Sequence, residues 1–312
     1  MYGGKGWIGQ LMTEYMDTHL ETGRQEEYIL GKARTDDVPS LEKEIQEINP
    51  SHVLCLVGRT HGIANGKEYT TIDYLEVPGK LYENLQDNLF SQMVLTMLAA
   101  KYNYRLYCIA TGCIYEYDDD NKHPFGQEVN GFREDSLPNF FGSSYSIVKG
   151  FADRLINLHC NDASNNVCYW KIRMPISSIP DKRNFITKIV NYEKICSIPN
   201  SMTILDDMIP VMVDMMRKNI TGVFNMCNKG LISHNEILEG YRSIINPSFE
   251  WKNFTADEQR EILLGGRSNN FMDTDKLYNL YPELPTIKEG IQQVLSRMKT
   301  YIVEDKDKDK IN

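Results

Sequence analysis

Gly3-Gly4-Lys5-Gly6-Trp7-Ile8-Gly9 is the stretch on which the fold turns. Gly3, Gly6 and Gly9 fit the pattern GxxGxxG. A chain passing from a strand into a helix needs residues without a Cβ there if its backbone is to approach a pyrophosphate seated on the helix N-terminus. The helix such a loop requires follows, with Ile8, Leu11, Met12, Tyr15 and Met16 on one face and Gly23 as a stop. Glycine-rich turns also occur without a ligand, so the flanking sequence has to decide. Only Met1 and Tyr2 precede the glycines, where roughly four or five residues of a buried strand are expected. The first strand therefore reads as largely missing, and Met1 as a late start.

Further along, strands and helices alternate. Tyr28-Ile29-Leu30 reads as a short strand ending at Gly31, and Ser40 as the cap of a helix with Leu41, Ile45 and Ile48 inward. Val53–Val57 and Leu106–Ala110 are continuous apolar runs, as strands of a parallel sheet covered on both faces require. A helix is expected over 79–101, and another from near Ser144 with Val148, Phe151, Leu155 and Leu158 on its inner face. Val167–Met174 is the next strand. This pattern predicts an α/β, Rossmann-type doubly wound parallel sheet. Residues 1–175 form its nucleotide-binding domain. Residues 176–302 form mainly a smaller C-terminal substrate-binding lobe, with Thr221–Met226 returning a strand to the sheet. Residues 303–312 read as a charged flexible tail, because Glu304–Lys310 has nothing to bury. Asp118–His123 reads as a solvated loop, Met212, Met215 and Met216 as helix packing, and His234 as structural behind a Ser233 cap.

Composition narrows the function. Over 312 residues, 41% hydrophobic and 25% charged content is that of a globular chain. No apolar run approaches the ~20 residues of a membrane span and no signal peptide opens the chain, so a cytoplasmic protein without membrane attachment is expected. A net charge of −9 argues against nucleic-acid binding but allows a local basic pocket. The seven cysteines are odd in number and lack CxxC, which reads as reduced thiols with no zinc or other metal site.

Two further places carry chemistry. The second strand ends in Gly31-Lys32-Ala33-Arg34, with no carboxylate before Asp36. An acidic residue there suits a ribose 2′-hydroxyl and a basic one a 2′-phosphate, so NADPH is expected on Arg34 and Lys32, with NADH the alternative. Tyr145-Ser-Ile-Val-Lys149 opens a helix and places both side chains on one face. A nearby ammonium lowers a phenol's pKa and equips it for proton transfer. Thr111-Gly-Cys113-Ile-Tyr115, at the end of a buried strand, precedes this pair.

With these elements the chain resembles the extended short-chain dehydrogenase/reductase superfamily. The resemblance implies that Thr111 bonds the substrate carbonyl, Tyr145 is the general acid, and Lys149 holds the nicotinamide ribose. It places Gly3, Gly6, Trp7, Ile8 and Gly9 at the cofactor, and makes Asn88 the structural Asn that supports the lysine through water. A narrower resemblance runs through Ala110–Tyr115, Arg173–Ser178, Arg183–Ile189, Ser197–Leu205, Ser233–Leu238 and Arg267–Asn270. These segments are similar to the nucleotide-rhamnose synthases, bifunctional 3,5-epimerase/4-reductases related to dTDP-4-dehydrorhamnose reductase. The implied substrate is a UDP- or dTDP-linked 4-keto-6-deoxyglucose, epimerised at C3 and C5 and reduced at C4 to the L-rhamnose nucleotide. Cys113 and Lys188 are then the epimerisation pair. Arg267 is expected on the diphosphate, with Asn184 and Ser201–Thr203 lining the pocket. A homodimer is a family-level expectation. The alternatives are a reductase alone and a non-catalytic Rossmann regulatory subunit; the presence of Thr111, Tyr145 and Lys149 disfavours the second.

Overall fold

The computed structural model describes residues 1–19, 27–118, 130–160 and 166–308. Gly23 and residues 119–123 of the expected solvated loop lie outside the described residues. In chain order the elements are α1 (Trp7–His19), α2 (Val38–Ile48), β1 (His52–Cys55), β2 (Gly62–Ala64), β3 (Lys67–Tyr69) and α3 (Leu81–Leu85). A π-turn, Gln86–Phe90, leads into α4 (Ser91–Tyr102), followed by β4 (Arg105–Thr111), α5 (Ser144–Cys160), β5 (Val167–Ile172), α6 (Phe185–Ile189) and α7 (Leu205–Arg217). The chain ends with β6 (Gly222–Asn225), α8 (His234–Ile244), α9 (Ala256–Ile262), α10 (Asp275–Leu280) and α11 (Ile287–Lys308).

The main sheet is parallel in the order β1-β4-β5-β6. Side chains alternate between its faces. Cys168 and Trp170 of β5 join the cluster under α1 and α7, whereas Val167 and Tyr169 join the one beneath α2 and α4. The sheet is thus covered twice, which explains why its strands read as unbroken apolar runs. Met212 and Met215 are buried in the first cluster, as expected of helix packing. A third cluster gathers α6, α8 and α11.

The first strand is present as two residues. Tyr2 donates to Leu54 O at 2.8 Å and accepts from Leu56 N at 2.9 Å. On the other side Met1 O accepts from Gly31 N, and Met1 N donates to Ile29 O. Met1 and Tyr2 therefore occupy the central lane between residues 29–31 and β1. Beyond Met1 the lane widens into a cavity of about 470 Å³ between Tyr28 and Leu54.

Three local expectations need correction. Asp37, not Ser40, caps α2, its carboxylate accepting from Ser40 N. On α5, Phe151, Leu155 and Leu158 are exposed at 60%, 46% and 67%. Its inner face is Tyr145, Val148, Lys149, Ala152 and Ile156. Two rows on this helix are apolar, and the inner one also carries the polar pair, so counting hydrophobes selected the wrong side. The expected tail is helical to Lys308, because α11 is already nucleated and each added residue extends it with one more backbone bond.

Candidate active site

The glycine loop is built for close approach. Gly3 has φ +81°, and a Cβ there would lie 2.7 Å from the Leu56 carbonyl carbon. A Cβ at Gly9 would lie 2.6 Å from Gly3 O and from Gly4. Gln10 N already bonds Gly6 O, and the amides before it have no partner inside the helix. Trp7 is a correction: its side chain is buried against the sheet with Met12, and Ile8 packs beside it, so only their backbone can face a phosphate. A cavity of about 280 Å³ opens here, lined by Gly3, Gly6, Gly31, Arg34, Gly58 and Arg59. Arg34 is 70% exposed and forks onto Asp36 at 2.9 and 2.8 Å. A loop that any Cβ would fill, a helix N-terminus and an exposed guanidinium at the cavity rim fit a dinucleotide carrying an extra phosphate.

At the carboxyl end of β4, Thr111 Oγ1 accepts from Cys113 N at 3.0 Å. Its hydroxyl also bonds the Tyr145 phenol oxygen, which sets the two groups side by side. Tyr145 and Lys149 lie on the first turns of α5, both buried. Burial raises the Tyr145 phenol above its ordinary value, a charge on Cys113 pushes the same way, and a bond from Thr111 opposes them. The expected lowering by Lys149 is absent. The Lys149 ammonium turns instead to Gln92 Oε1, 3.3 Å away. Burial lowers that ammonium to about 8, against the attraction of Cys55, Cys108 and Asp153.

Gln92 is a residue that the sequence reading missed. It lies one turn beyond Asn88, is fully buried, and also accepts from Tyr169. Asn88 itself braces the Arg59 backbone in both directions, at 2.9 and 2.8 Å, and donates to Asn84, so its side chain is spent on those partners and not on Lys149. Asn88 lies in the π-turn, a local geometry common near functional sites.

Cys113 is part-buried and receives a hydrogen bond from Arg173 Nη1 at 3.4 Å. Lys188 stands on α6. Burial lowers its ammonium, and the charges of Arg267 and Arg183 lower it further while Asp181 opposes. Arg267 is committed to Asp73, Nη2 to Oδ2 at 2.5 Å, in a part-buried pair. Against burial, bonds from Arg267 and Thr71 hold the Asp73 carboxyl below its ordinary value.

Asn184 requires correction as a pocket residue. It is fully buried, caps α6 by accepting from Ile186 N, and donates to Ser177 O and Ile179 O. With its oxygen and both amide hydrogens spent, it positions the helix carrying Lys188. Ser201 and Thr203 are likewise buried, bonded to Met272 N and to Arg173 N. His234 follows the Ser233 cap; burial lowers it to about 4, so it is neutral and packs edge-on to Phe185. Among the described residues no group of three His, Cys, Asp or Glu could hold a metal ion.

A twice-covered parallel sheet with Thr111, Tyr145 and Lys149 gathered at its carboxyl end defines an extended short-chain dehydrogenase/reductase. A curated protein of Acanthamoeba polyphaga mimivirus is 48% identical over 300 residues, covering 96% of this chain and 98% of that protein. The crystal structure of a UDP-rhamnose synthase from that virus superposes with a TM-score of 0.87 at 47% identity, over 95% of this chain and 97% of that one. An Arabidopsis thaliana bifunctional dTDP-4-dehydrorhamnose 3,5-epimerase/reductase is 41% identical over 93% of this chain and 90% of its own length. No protein-family model matches the chain. The chain belongs to the nucleotide-rhamnose synthase family of bifunctional 3,5-epimerase/4-reductases.

Proposed function

We propose that this protein converts a UDP- or dTDP-linked 4-keto-6-deoxyglucose to the corresponding L-rhamnose nucleotide, with NADPH as reductant. The observation that carries the reading is Cys113 two residues beyond Thr111, beside the reductase pair Tyr145 and Lys149. Thr111 donates to the C4 carbonyl oxygen and thereby acidifies the protons on C3 and C5. Cys113 as thiolate removes a ring proton, and the Lys188 ammonium, made more acidic by burial, returns one from the other face. NADPH, when bound across the glycine loop and Arg34, supplies the hydride that C4 accepts. The Tyr145 phenol, held protonated by burial, delivers its proton to O4. Lys149 holds the ribose and the orientation of Tyr145. Lys188, near enough to Arg267 to feel its charge, supplies the local positive charge that suits a diphosphate substrate of an acidic protein, whereas Arg267 is already paired with Asp73.

We also assign the expected homodimer to the exposed apolar stripe of Phe90 and Met97 with Phe151, Leu155 and Leu158 on the neighbouring helix. Exposed apolar side chains on helices that pack side by side support an interface there. Light scattering on Phe151→Glu/Leu158→Glu should give a monomer where the parent is a dimer. The test of the chemistry is incubation with each 4-keto-6-deoxyglucose nucleotide and NADPH in D₂O. Deuterium at C3 and C5 of an L-rhamnose product is expected. A product reduced at C4 without ring deuterium refutes the epimerase half.

A further inference from the structure

Arg173, at the end of β5, is 1% exposed. Its guanidinium donates to Cys113 Sγ at 3.4 Å, to Ser268 Oγ at 3.0 Å, to Asn200 Oδ1 at 2.5 Å and to Ser268 O. Among the described residues none of these partners is a carboxylate, and Nε has no partner at all. A guanidinium cannot shed its proton, and a buried charge without a counter-charge is costly. The backbone here is fixed with equal care. Arg173 N donates to Thr203 Oγ1 at 2.9 Å, and Arg173 O accepts from Thr203 N at 2.8 Å. Met174 follows at φ +41°, a strained conformation for a side chain that only a well-determined surrounding sustains. Asn270, bonded to Gly112 O and Tyr115 O, braces the other side of the Cys113 loop, and its own N–H reaches the same Asn200 Oδ1. All this holds one cation against one sulfur.

We infer that Arg173 is the counter-charge of Cys113, a positioning residue that favours the thiolate and so serves epimerisation but not reduction. The inference rests on the proposed proton-transfer role of Cys113. The other titratable groups facing this pair are Tyr145 and Cys227 beside Cys113, and Tyr117 and His234 near Arg173. Burial keeps both phenols and the Cys227 thiol protonated and His234 neutral, so none of them competes for the cation. Arg173 reaches the reacting sugar only through the sulfur.

Two measurements test it. The unaltered protein is treated with iodoacetamide at pH 7 and each cysteine peptide is quantified by mass spectrometry. Cys160 is the internal control, because it is also part-buried but is pushed up to about 12 by burial, and among the described residues its hydrogen bond goes to Val167 O and not to an arginine. Cys113 should label at least about tenfold faster than Cys160, since the thiolate is the nucleophile. Equal rates overturn the inference. Arg173→Lys and Arg173→Met are then assayed for deuterium exchange at C3 and C5 and, separately, for reduction of the already epimerised 4-keto sugar nucleotide. Exchange should fall roughly 10- to 100-fold, the range for losing a charge-assisted bond. Reduction should stay within about threefold, and the Cys113 to Cys160 labelling ratio should collapse. Parallel loss of exchange and reduction in a folded variant, or unchanged exchange, overturns the inference. Should Arg173→Met fail to fold, Arg173→Lys, which keeps a cation without the fork, carries the comparison. Absence of exchange in the parent protein would instead refute the epimerase reading, and the labelling ratio would still decide the Arg173–Cys113 pair.

Discussion

Replacing Lys149 with methionine should stabilise the cofactor-free protein while destroying its reductase activity. The ammonium lies fully buried on α5, and burial brings it from 10.5 to about 8. A folded value below the unfolded one means that folding opposes protonation. The resulting penalty is fully present below pH 8, shrinks as the pH rises from 8 to 10.5, and vanishes above that. At about 1.4 kcal/mol per pH unit the gap amounts to about 3 kcal/mol. Methionine fills the volume of the aliphatic stem but loses the 3.3 Å bond to Gln92, worth about 1 kcal/mol. The net expectation is a gain of about 2 kcal/mol at pH 7. Urea unfolding of both proteins at pH 7, 9 and 10.5 measures it, and the advantage of Lys149→Met should disappear across that series. A variant no more stable than its parent at pH 7, or an advantage independent of pH, would refute the reasoning.

Three further outcomes follow from the site. Gly9→Ala places a Cβ 2.6 Å from backbone atoms that cannot retreat, so it should cost about 1–3 kcal/mol and abolish NADPH binding measured by fluorescence. Arg34→Ala should raise the KM for NADPH about tenfold or more and leave that for NADH unchanged, since only the former has a 2′-phosphate for this exposed fork. Tyr145→Phe should lower C4 reduction by about 10²- to 10⁴-fold while ring-proton exchange in D₂O continues. Loss of exchange with reduction would place Tyr145 in both steps.

What lies close in the chain was legible before the fold. The GxxGxxG spacing, the Tyr145–Lys149 turn and the two-residue step from Thr111 to Cys113 each express a local periodicity or turn. The apolar runs of β1, β4 and β5 announced a sheet buried on both sides because parallel strands need cover on both. The helix faces were harder. On α5 the exposed row Phe151-Leu155-Leu158 is as apolar as the buried one, and hydrophobicity alone cannot distinguish the two.

The sequence alone determined the alternation of strands and helices, the phosphate loop and the reductase pair, because a strand, a glycine turn and a helical i,i+4 spacing depend on neighbours a few residues away. Only the tertiary structure decided that Asn184 is a helix cap and not a ligand, that Trp7 belongs to the core, and that Lys149 answers to Gln92. It alone brought Arg173 to Cys113, 60 positions apart, and Ser268 to Arg173, 95 apart. Those contacts form where β4 and β5 end side by side and the segment of Ser268 returns to them, a proximity that no spacing along the chain encodes.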